Sequence, residues 1–296
     1  MLRRKVNGLV TYHFETLAVE GLVHAVFTRL GGVSSEPFAT LNVGHTVGDD
    51  ERAVGVNLSR VYKHLALDSG RVVTPHQVHS SRVELVSSDH VGQVIPNTDG
   101  LTTSTPQVGL LLRFADCQPI LLYDPINQAL ALVHAGWRGV AQAIARRAVE
   151  SMQDAFGTRP QELIAGLGPA IGPCCYTVGQ DVASAMGYAL PNWEQALQLE
   201  AGTWHLNLPE ANGQQLRAAG VQKIEQASLC TACHVDEFFS HRAERGRTGR
   251  FAVAALLRTP SQNQGPRSVK LPGSEPEDEP GPQSLHPPGL PAFHEW

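Results

Sequence analysis

Short apolar segments alternate with stretches of helical periodicity along most of this chain, and that alternation constrains its fold. Apolar, extended runs predict strands at residues 23–28, 72–73, 83–86, 108–114, 120–123, 129–133 and 163–167. Helical spacing predicts helices over residues 139–156, 180–188 and 208–219. Strands and helices mixed in this way favour an α/β (α+β) fold, a layered sandwich of mixed β-sheets covered by helices. The patterns do not give the order of the strands.

The composition changes sharply near residue 259. Nine of the twenty prolines fall between Pro260 and Pro291, together with Ser, Gly, Gln and acidic residues. Such a segment buries too little apolar area to offset the entropy of ordering the chain. We therefore expect a single folded domain over residues 1–258 and a Pro-rich disordered tail over residues 259–296.

Charge and cysteine content exclude several classes of protein. With a net charge of −5 the chain has no general attraction to nucleic acid or to anionic membranes. No segment approaches the roughly 18 uninterrupted apolar residues of a membrane helix, and charged residues interrupt the first twenty positions, so export is not expected. The five cysteines are an odd number and favour free thiols. We expect a cytoplasmic protein without a nucleic-acid or membrane partner.

Two histidines and one cysteine lie at or near the ends of predicted strands: His79, Cys117 and His134. Two imidazoles and one thiolate form a usable catalytic zinc set, with the fourth tetrahedral position left for water or substrate. The alternative is that these residues are unrelated, since a buried cysteine usually behaves as a small hydrophobic residue. His76 would point to the opposite face of an extended segment, so we interpret it as a local hydrogen-bonding residue.

The sequence HAGWRG at residues 134–139 joins a predicted strand to a predicted helix. Gly136 and Gly139 permit a tight turn and a close approach of the backbone. The N-terminus of the helix favours anions, and Arg138 could add a bidentate contact to phosphate. The alternative is an ordinary strand–helix turn, with Trp137 in the core and Arg138 in solvent.

The remaining cysteines form two short motifs. Cys230, Cys233 and His234 match the C-x-x-C-H pattern of covalent c-type haem. That chemistry normally needs export, which we do not expect here, so we do not expect haem. Cys174 and Cys175 are adjacent in a loop that is rich in Gly and Pro, and their role is interpreted as structural, with redox or ligand roles left open.

Several segments resemble one known family, the laccase-domain or multicopper polyphenol oxidase family, whose members are now regarded as purine nucleoside phosphorylases. The segments are FTRLGGVS at 27–34, LNVG at 41–44, VGDD at 47–50, QVH at 77–79, ADCQP at 115–119, HAGWRG at 134–139, GPAIGPCCYTVG at 168–179 and CHVDEFFSHRAERGRTGRFA at 233–252. The resemblance covers residues 21–257. Ser80 departs from it, because the family more often has Gly after QVH.

The resemblance implies that His79, Cys117 and His134 are the catalytic metal ligands, with zinc as the cofactor and copper as a second candidate. It implies that residues 1–258 cleave adenosine, inosine and S-methyl-5′-thioadenosine with phosphate, giving the free base and (methylthio)ribose 1-phosphate, with adenosine deaminase activity besides. The partners would be a purine nucleoside and phosphate. Arg29 and Arg138 are candidate phosphate-binding residues, and the oligomeric state is not determined.

Two alternative functions and one open role remain at this point. The first alternative is a copper-dependent polyphenol oxidase, although a multicopper site needs paired histidine motifs and this chain has no H-x-H. The second is a hydrolase or deamidase with Cys117 as nucleophile and His134 as base. The acid that would protonate a departing base is not identified, and four residues are candidates by proximity in sequence: Asp116, His76, Asp236 and Glu237.

Overall fold

The computed structural model describes residues 1–259. The strands in this part of the chain are β1 (Leu2–Val6), β2 (Leu9–His13), β3 (Leu22–Phe27), β4 (Val72–Pro75), β5 (Val83–Leu85), β6 (Val94–Ile95), β7 (Gly100–Thr103), β8 (Gly109–Phe114), β9 (Gln118–Asp124), β10 (Ala129–Ala135), β11 (Ile164–Leu167), β12 (Thr177–Val178), β13 (Leu197–Glu200), β14 (Thr203–Leu206), β15 (Lys223–Gln226) and β16 (Phe251–Leu257). The helices are α1 (Glu51–Leu65), α2 (Trp137–Ala141), α3 (Ile144–Phe156), α4 (Gln180–Ala189), α5 (Trp193–Ala196) and α6 (Leu208–Ala218). The tail expected over residues 259–296 lies, apart from Thr259, outside the described residues.

The strands form two large mixed sheets and one small one. The seven-stranded sheet has the order β1-β2-β3-β16-β8-β4-β6, and the six-stranded sheet has the order β15-β11-β9-β10-β7-β5. Most neighbours are antiparallel, but β4 is parallel to β8 and β6, β5 is parallel to β7, and β11 is parallel to β15. Strands β12, β14 and β13 make the small antiparallel sheet.

The two large sheets pack face to face, and helices cover their outer faces. Side chains from β8 and β16 meet side chains from β9 and β10 in one buried cluster, which includes Leu112, Phe114, Leu121 and Leu132. A second cluster joins the other face of the six-stranded sheet to α3 and α6. A third joins the other face of the seven-stranded sheet to α1. The predicted layered sandwich of mixed sheets covered by helices is therefore confirmed.

All seven predicted strands are present, with ends that differ by at most two residues from the predicted ones. The helices predicted at 180–188 and 208–219 are also confirmed. The single helix predicted over residues 139–156 is wrong, because the chain makes two helices that are separated at Gln142 and Ala143. Ala143 has a left-handed backbone (φ 61°), so the direction of the chain changes there. Val140 consequently packs in a different cluster from Ile144.

The sequence patterns missed the hairpin β1–β2, helix α1 and strand β16, and also β6, β7, β15, α5 and the three strands of the small sheet. The hairpin β1–β2 extends the seven-stranded sheet, and its first strand is exposed along its whole length. Helix α1 carries a buried stripe at Val54, Leu58, Val61 and Leu65, which is the helical spacing that could have predicted it. Strand β16 lies between β3 and β8 with all seven residues buried. Among the described residues, no helix has the length and apolar content that crossing a membrane requires.

We expect Leu132→Ala to lower the free energy of unfolding by about 2–5 kcal/mol, because it leaves a cavity between the two sheets. Leu132 is fully buried, whereas Leu85 on the edge strand β5 is 51% exposed. Leu85→Ala is the matched control and should change stability by no more than about 0.5 kcal/mol. Urea unfolding of both variants measures the difference. Equal losses would contradict a core between the sheets.

Candidate metal centre

The three predicted ligands come from different parts of the sandwich. His79 lies in the loop that follows β4 of the seven-stranded sheet, and Cys117 lies in the short connection by which the chain passes from β8 to β9. His134 is the penultimate residue of β10 in the six-stranded sheet. The site is therefore built where the two sheets meet.

The structure brings the three side chains together. One ligand atom from each of His79, Cys117 and His134 lies within 4.8 Å of the other two, and the two imidazole rings have centroids 5.0 Å apart. A Cβ atom on Gly136 would stand 2.7 Å from Cys117 Sγ and 3.2 Å from His79 Cδ2. Only glycine leaves room for these side chains at that position. This steric requirement explains the first glycine of the HAGWRG motif.

Two residues of this centre have unusual backbone conformations. His79 and Asp116 have φ values of 62° and 85°, in the left-handed region that non-glycine residues seldom occupy. Such conformations concentrate at functional sites, where the surrounding structure holds them in place. Here the backbone N–H of His79 donates to Asp99 Oδ1 at 3.0 Å. The carboxylate of Asp116 accepts from Thr231 Oγ1 and from the N–H of Arg242, both at 2.7 Å.

Asp99 is the residue that the sequence patterns missed. It directly precedes β7, is fully buried, and its Oδ1 lies 2.9 Å from His134 Nδ1. Its carboxylate also accepts hydrogen bonds from the N–H groups of Val78, His79 and Ser80 and from the Ser80 hydroxyl. A carboxylate that holds the Nδ1 of a histidine leaves Nε2 free for a metal and fixes the direction of the ring.

The protonation states follow from these contacts. Burial opposes ionisation of Asp99, yet the hydrogen bonds from His134 and Ser80 lower its pKa to about 2. Burial would raise the pKa of Cys117, but the charges and hydrogen bonds of His134 and His79 lower it to about 6. The thiolate of Cys117 and the carboxylate of Asp99 in turn raise the pKa of His134 against the effect of its burial. Cys117 is therefore held as a thiolate, the form that binds metals.

The donor set fits a single zinc ion. Two imidazoles and a thiolate offer ligand atoms that lie within 4.8 Å of one another, and one imidazole is oriented by a buried carboxylate, as in catalytic zinc sites. Three protein ligands leave one tetrahedral position open. The same soft and imidazole ligands suit copper, so the geometry supports a metal site without fixing the identity of the metal.

The centre opens into a cavity of about 820 Å³, within the usual range for a small-molecule site. Four arginines contribute to its wall, and in the part of the chain that the structure describes none of their guanidinium groups has a carboxylate within 4.0 Å: Arg113, Arg138, Arg242 and Arg250. Burial lowers the pKa of Arg113 and of Arg250 from its ordinary value. The guanidinium groups of Arg113 and Arg250 are half-buried and donate to backbone carbonyls, and those of Arg138 and Arg242 are exposed. Positive charge without a carboxylate partner in a cleft favours an anion.

The two arginines singled out from the sequence are placed differently. Arg138 borders the cavity, with its guanidinium 4.5 Å from the ring centroid of Trp137. Arg29 lines a separate cavity, where it donates to the carbonyls of Ala39 and Val235 and pairs with Glu244 at 3.0 Å. The structure therefore does not bring Arg29 to the metal centre. The sequence analysis did not predict a site role for Arg113, Arg242 or Arg250. Arg242 and Arg250 nevertheless lie in the segment 233–252, which carries part of the family resemblance.

The other predicted features of the site are also located. The helix after His134 begins at Trp137, not at Gly139, and has only five residues, so its dipole is small. Of the four candidates for the acid, Asp116 and His76 border the cavity of the metal centre. Asp236 lines the separate cavity of Arg29, and Glu237 binds Arg3 and Tyr12.

Comparison with known proteins identifies the class to which this fold and site belong. The family model described as multi-copper polyphenol oxidoreductase laccase matches residues 23–258. The chain belongs to that family, as the sequence motifs predicted.

Individual relatives are similar over most of their length. A protein of Geobacillus stearothermophilus named purine nucleoside phosphorylase YlmD is 40% identical over 244 residues, which are 78% of this chain and 88% of the relative. The crystal structure of YlmD from that organism superposes with a TM-score of 0.82 at 37% identity, covering 86% of this chain and 98% of the other. The crystal structure of Bacillus licheniformis hypothetical protein YfiH gives a TM-score of 0.81 at 34% identity, with 86% and 99% covered.

We expect Asp99→Asn to weaken zinc binding by about 10- to 100-fold, because His134 loses the charged acceptor that orients it. Competition with a chromophoric chelator measures the dissociation constant. Asp124→Asn is the control, since Asp124 is another fully buried aspartate that accepts backbone hydrogen bonds, in the β9–β10 turn. Equal weakening in both variants would mean that Asp99 supports the fold and not the metal ligand.

Proposed function

We propose that this protein is a zinc-dependent purine nucleoside phosphorylase that acts on adenosine, inosine and S-methyl-5′-thioadenosine and also deaminates adenosine. The observation that carries the proposal is the group of two histidines and a cysteine at the wall of a cavity that also presents four arginines. A nucleoside and a phosphate fit within its volume, and the relatives named as purine nucleoside phosphorylases cover most of the chain.

The reaction requires phosphate to be held against the sugar. The bond between the anomeric carbon and the base nitrogen breaks as a phosphate oxygen bonds to that carbon, which gives ribose 1-phosphate and the free base. Two guanidinium groups can bind phosphate through paired hydrogen bonds, and four arginines line the cavity wall. Holding the two reactants in line removes a large part of the entropic cost of the bimolecular step.

The residues of the metal centre have separate tasks in this proposal. His79, Cys117 and His134 hold the ion, Asp99 orients His134, and Asp116 ties the loop of Cys117 to Thr231. Zinc in this place would supply Lewis-acid chemistry at neutral pH, which deamination and the departure of the base both need. His76, an exposed side chain at the border of the cavity, is the candidate for the acid that protonates the departing base.

Two other functions would give different results with the same protein. A copper-dependent polyphenol oxidase would consume oxygen with a phenolic substrate after loading with copper. A cysteine hydrolase based on Cys117 and His134 would keep its activity after removal of metal. We also propose a cytoplasmic location, which is supported by the five cysteines, all of them free.

The decisive assay supplies inosine and phosphate to the purified protein and follows hypoxanthine and ribose 1-phosphate. We expect both products to form in equal amounts and only when phosphate is present. Removal of zinc with a chelator should abolish turnover, and zinc should restore it. Cys117→Ser should lose both zinc and turnover while remaining folded. Hypoxanthine formation without phosphate would contradict phosphorolysis, and full activity of the metal-free protein would contradict a metal enzyme.

A second experiment tests the role of Arg138. We expect Arg138→Lys to raise the KM for phosphate by about 10- to 100-fold, since lysine cannot reproduce the forked hydrogen bonds of arginine. Adenosine deamination uses no phosphate and should be unchanged.

Two matched variants accompany this experiment. Arg146→Lys, on the exposed side of α3, should change neither reaction. Arg29→Lys should lower the unfolding free energy without a selective effect on phosphate, because Arg29 is bonded to Glu244 outside the cavity. Equal losses of phosphorolysis and deamination in Arg138→Lys would show that Arg138 supports the site as a whole.

A further inference from the structure

A second group of metal-ligating side chains lies outside the cavity of the metal centre. Cys174 and Cys175 are in the loop between β11 and β12, and Cys230 and Cys233 are in the loop between β15 and β16. Their four Sγ atoms all lie within 4.8 Å of one another. None of the four contributes to the wall of the 820 Å³ cavity. The two pairs are more than fifty residues apart in sequence, so tertiary folding has assembled this sulfur cluster.

The spacing of the sulfur atoms suits a closed tetrahedral site. Four thiolates at about 2.3 Å from a zinc ion stand about 3.8 Å from one another. Cys233 Sγ is 3.5 Å from Cys174 Sγ and 3.4 Å from Cys175 Sγ. These separations are far longer than the roughly 2.05 Å of a disulfide bond, and all four cysteines are free. The cluster therefore has the dimensions of a metal site.

Backbone hydrogen bonds and one glycine shape the surroundings of the sulfur cluster. The chain turns tightly between Cys230 and Cys233, where the N–H groups of Cys233 and His234 both donate to the carbonyl of Cys230. The N–H of Gly172 donates to Cys230 Sγ at 3.2 Å, a contact that stabilises a thiolate. A Cβ on Gly172 would come within 3.4 Å of Cys174 Sγ and 3.3 Å of Cys230 Cβ, so the glycine lets its loop approach the sulfurs.

We propose that Cys174, Cys175, Cys230 and Cys233 bind a structural zinc ion, separate from the ion of the catalytic centre. Four thiolates close the coordination sphere and leave no position for substrate, which is the pattern of structural zinc. The proposal explains the C-x-x-C-H string as half of a zinc site and does not depend on the proposed enzymatic activity.

This zinc would join the two loops that form one wall of the cavity. Ile171 and Tyr176 come from the first loop, and His241 and Arg242 come from the second. The loops already touch, because Arg242 Nη1 donates to the carbonyl of Thr177. Crosslinking them through four sulfurs would fix the position of Arg242 relative to the metal centre.

The test is the zinc content of the full-length protein, purified under reducing conditions, incubated with zinc and freed of unbound metal. Wild type should contain about two zinc ions per chain, one for each site. The double variant Cys117→Ser/His134→Ala should keep about one, held by the sulfur cluster. Zinc-edge X-ray absorption of that variant should show four sulfur neighbours at about 2.3 Å and no nitrogen.

A reciprocal variant completes the design. Cys230→Ser/Cys233→Ser should lose about one zinc ion per chain, while Cys117→Ser serves as a matched cysteine substitution at the other site. If the reciprocal variant fails to fold, the zinc content of Cys117→Ser/His134→Ala still tests the proposal, because that variant keeps all four cysteines of the sulfur cluster. A folded Cys117→Ser/His134→Ala protein without zinc, or with nitrogen in the absorption spectrum, would overturn the proposal. So would a reduced wild-type protein whose only zinc ion is lost in Cys117→Ser/His134→Ala.

Discussion

The hydrogen bonds of the buried Asp99 carboxylate are the interactions on which the candidate metal centre depends. The carboxylate accepts four hydrogen bonds from the loop 78–80, which follows the seven-stranded sheet, and it binds the imidazole of His134 in the six-stranded sheet. One side chain thereby fixes two ligands that come from different sheets. Because its ionised form is so heavily hydrogen-bonded, its pKa falls to about 2 despite full burial. The carboxylate stays charged at any pH at which the protein would work.

The cavity is positively charged because the acidic side chains near it are bonded to other groups. Acidic side chains near the centre are already engaged, since Asp99 binds His134 and Asp116 binds Thr231 and the backbone of Arg242. In the described part of the chain the four arginines of the wall have no carboxylate within ion-pair distance. Positive charge without a carboxylate partner is stabilised by an anionic ligand. This is the electrostatic basis for proposing phosphate as a substrate.

The sandwich architecture explains why loops as distant as 168–176 and 228–242 both reach the cavity. The chain passes from one sheet to the other at Cys117, so the loops at that end of both sheets converge there. Thr231 and Arg242 hold the second loop on Asp116, and the N–H of Ile171 holds the first loop on the carbonyl of the same residue. The proposed zinc ion in the sulfur cluster would crosslink these loops by metal coordination, where hydrogen bonds already join them.

The sequence by itself determined the layered α/β architecture, the seven strands it predicted, and three residues that converge as a metal triad, because apolar periodicity and strand ends are local signals. It did not reveal the break at Ala143, where a left-handed backbone separates two helices that pack Val140 and Ile144 into different clusters. It also did not reveal Asp99 or the cavity arginines Arg113, Arg242 and Arg250. It predicted Arg29 as a phosphate-binding residue, whereas Arg29 lines a separate cavity. Only the tertiary structure decided these points, since the role of a charged side chain depends on which distant partner faces it.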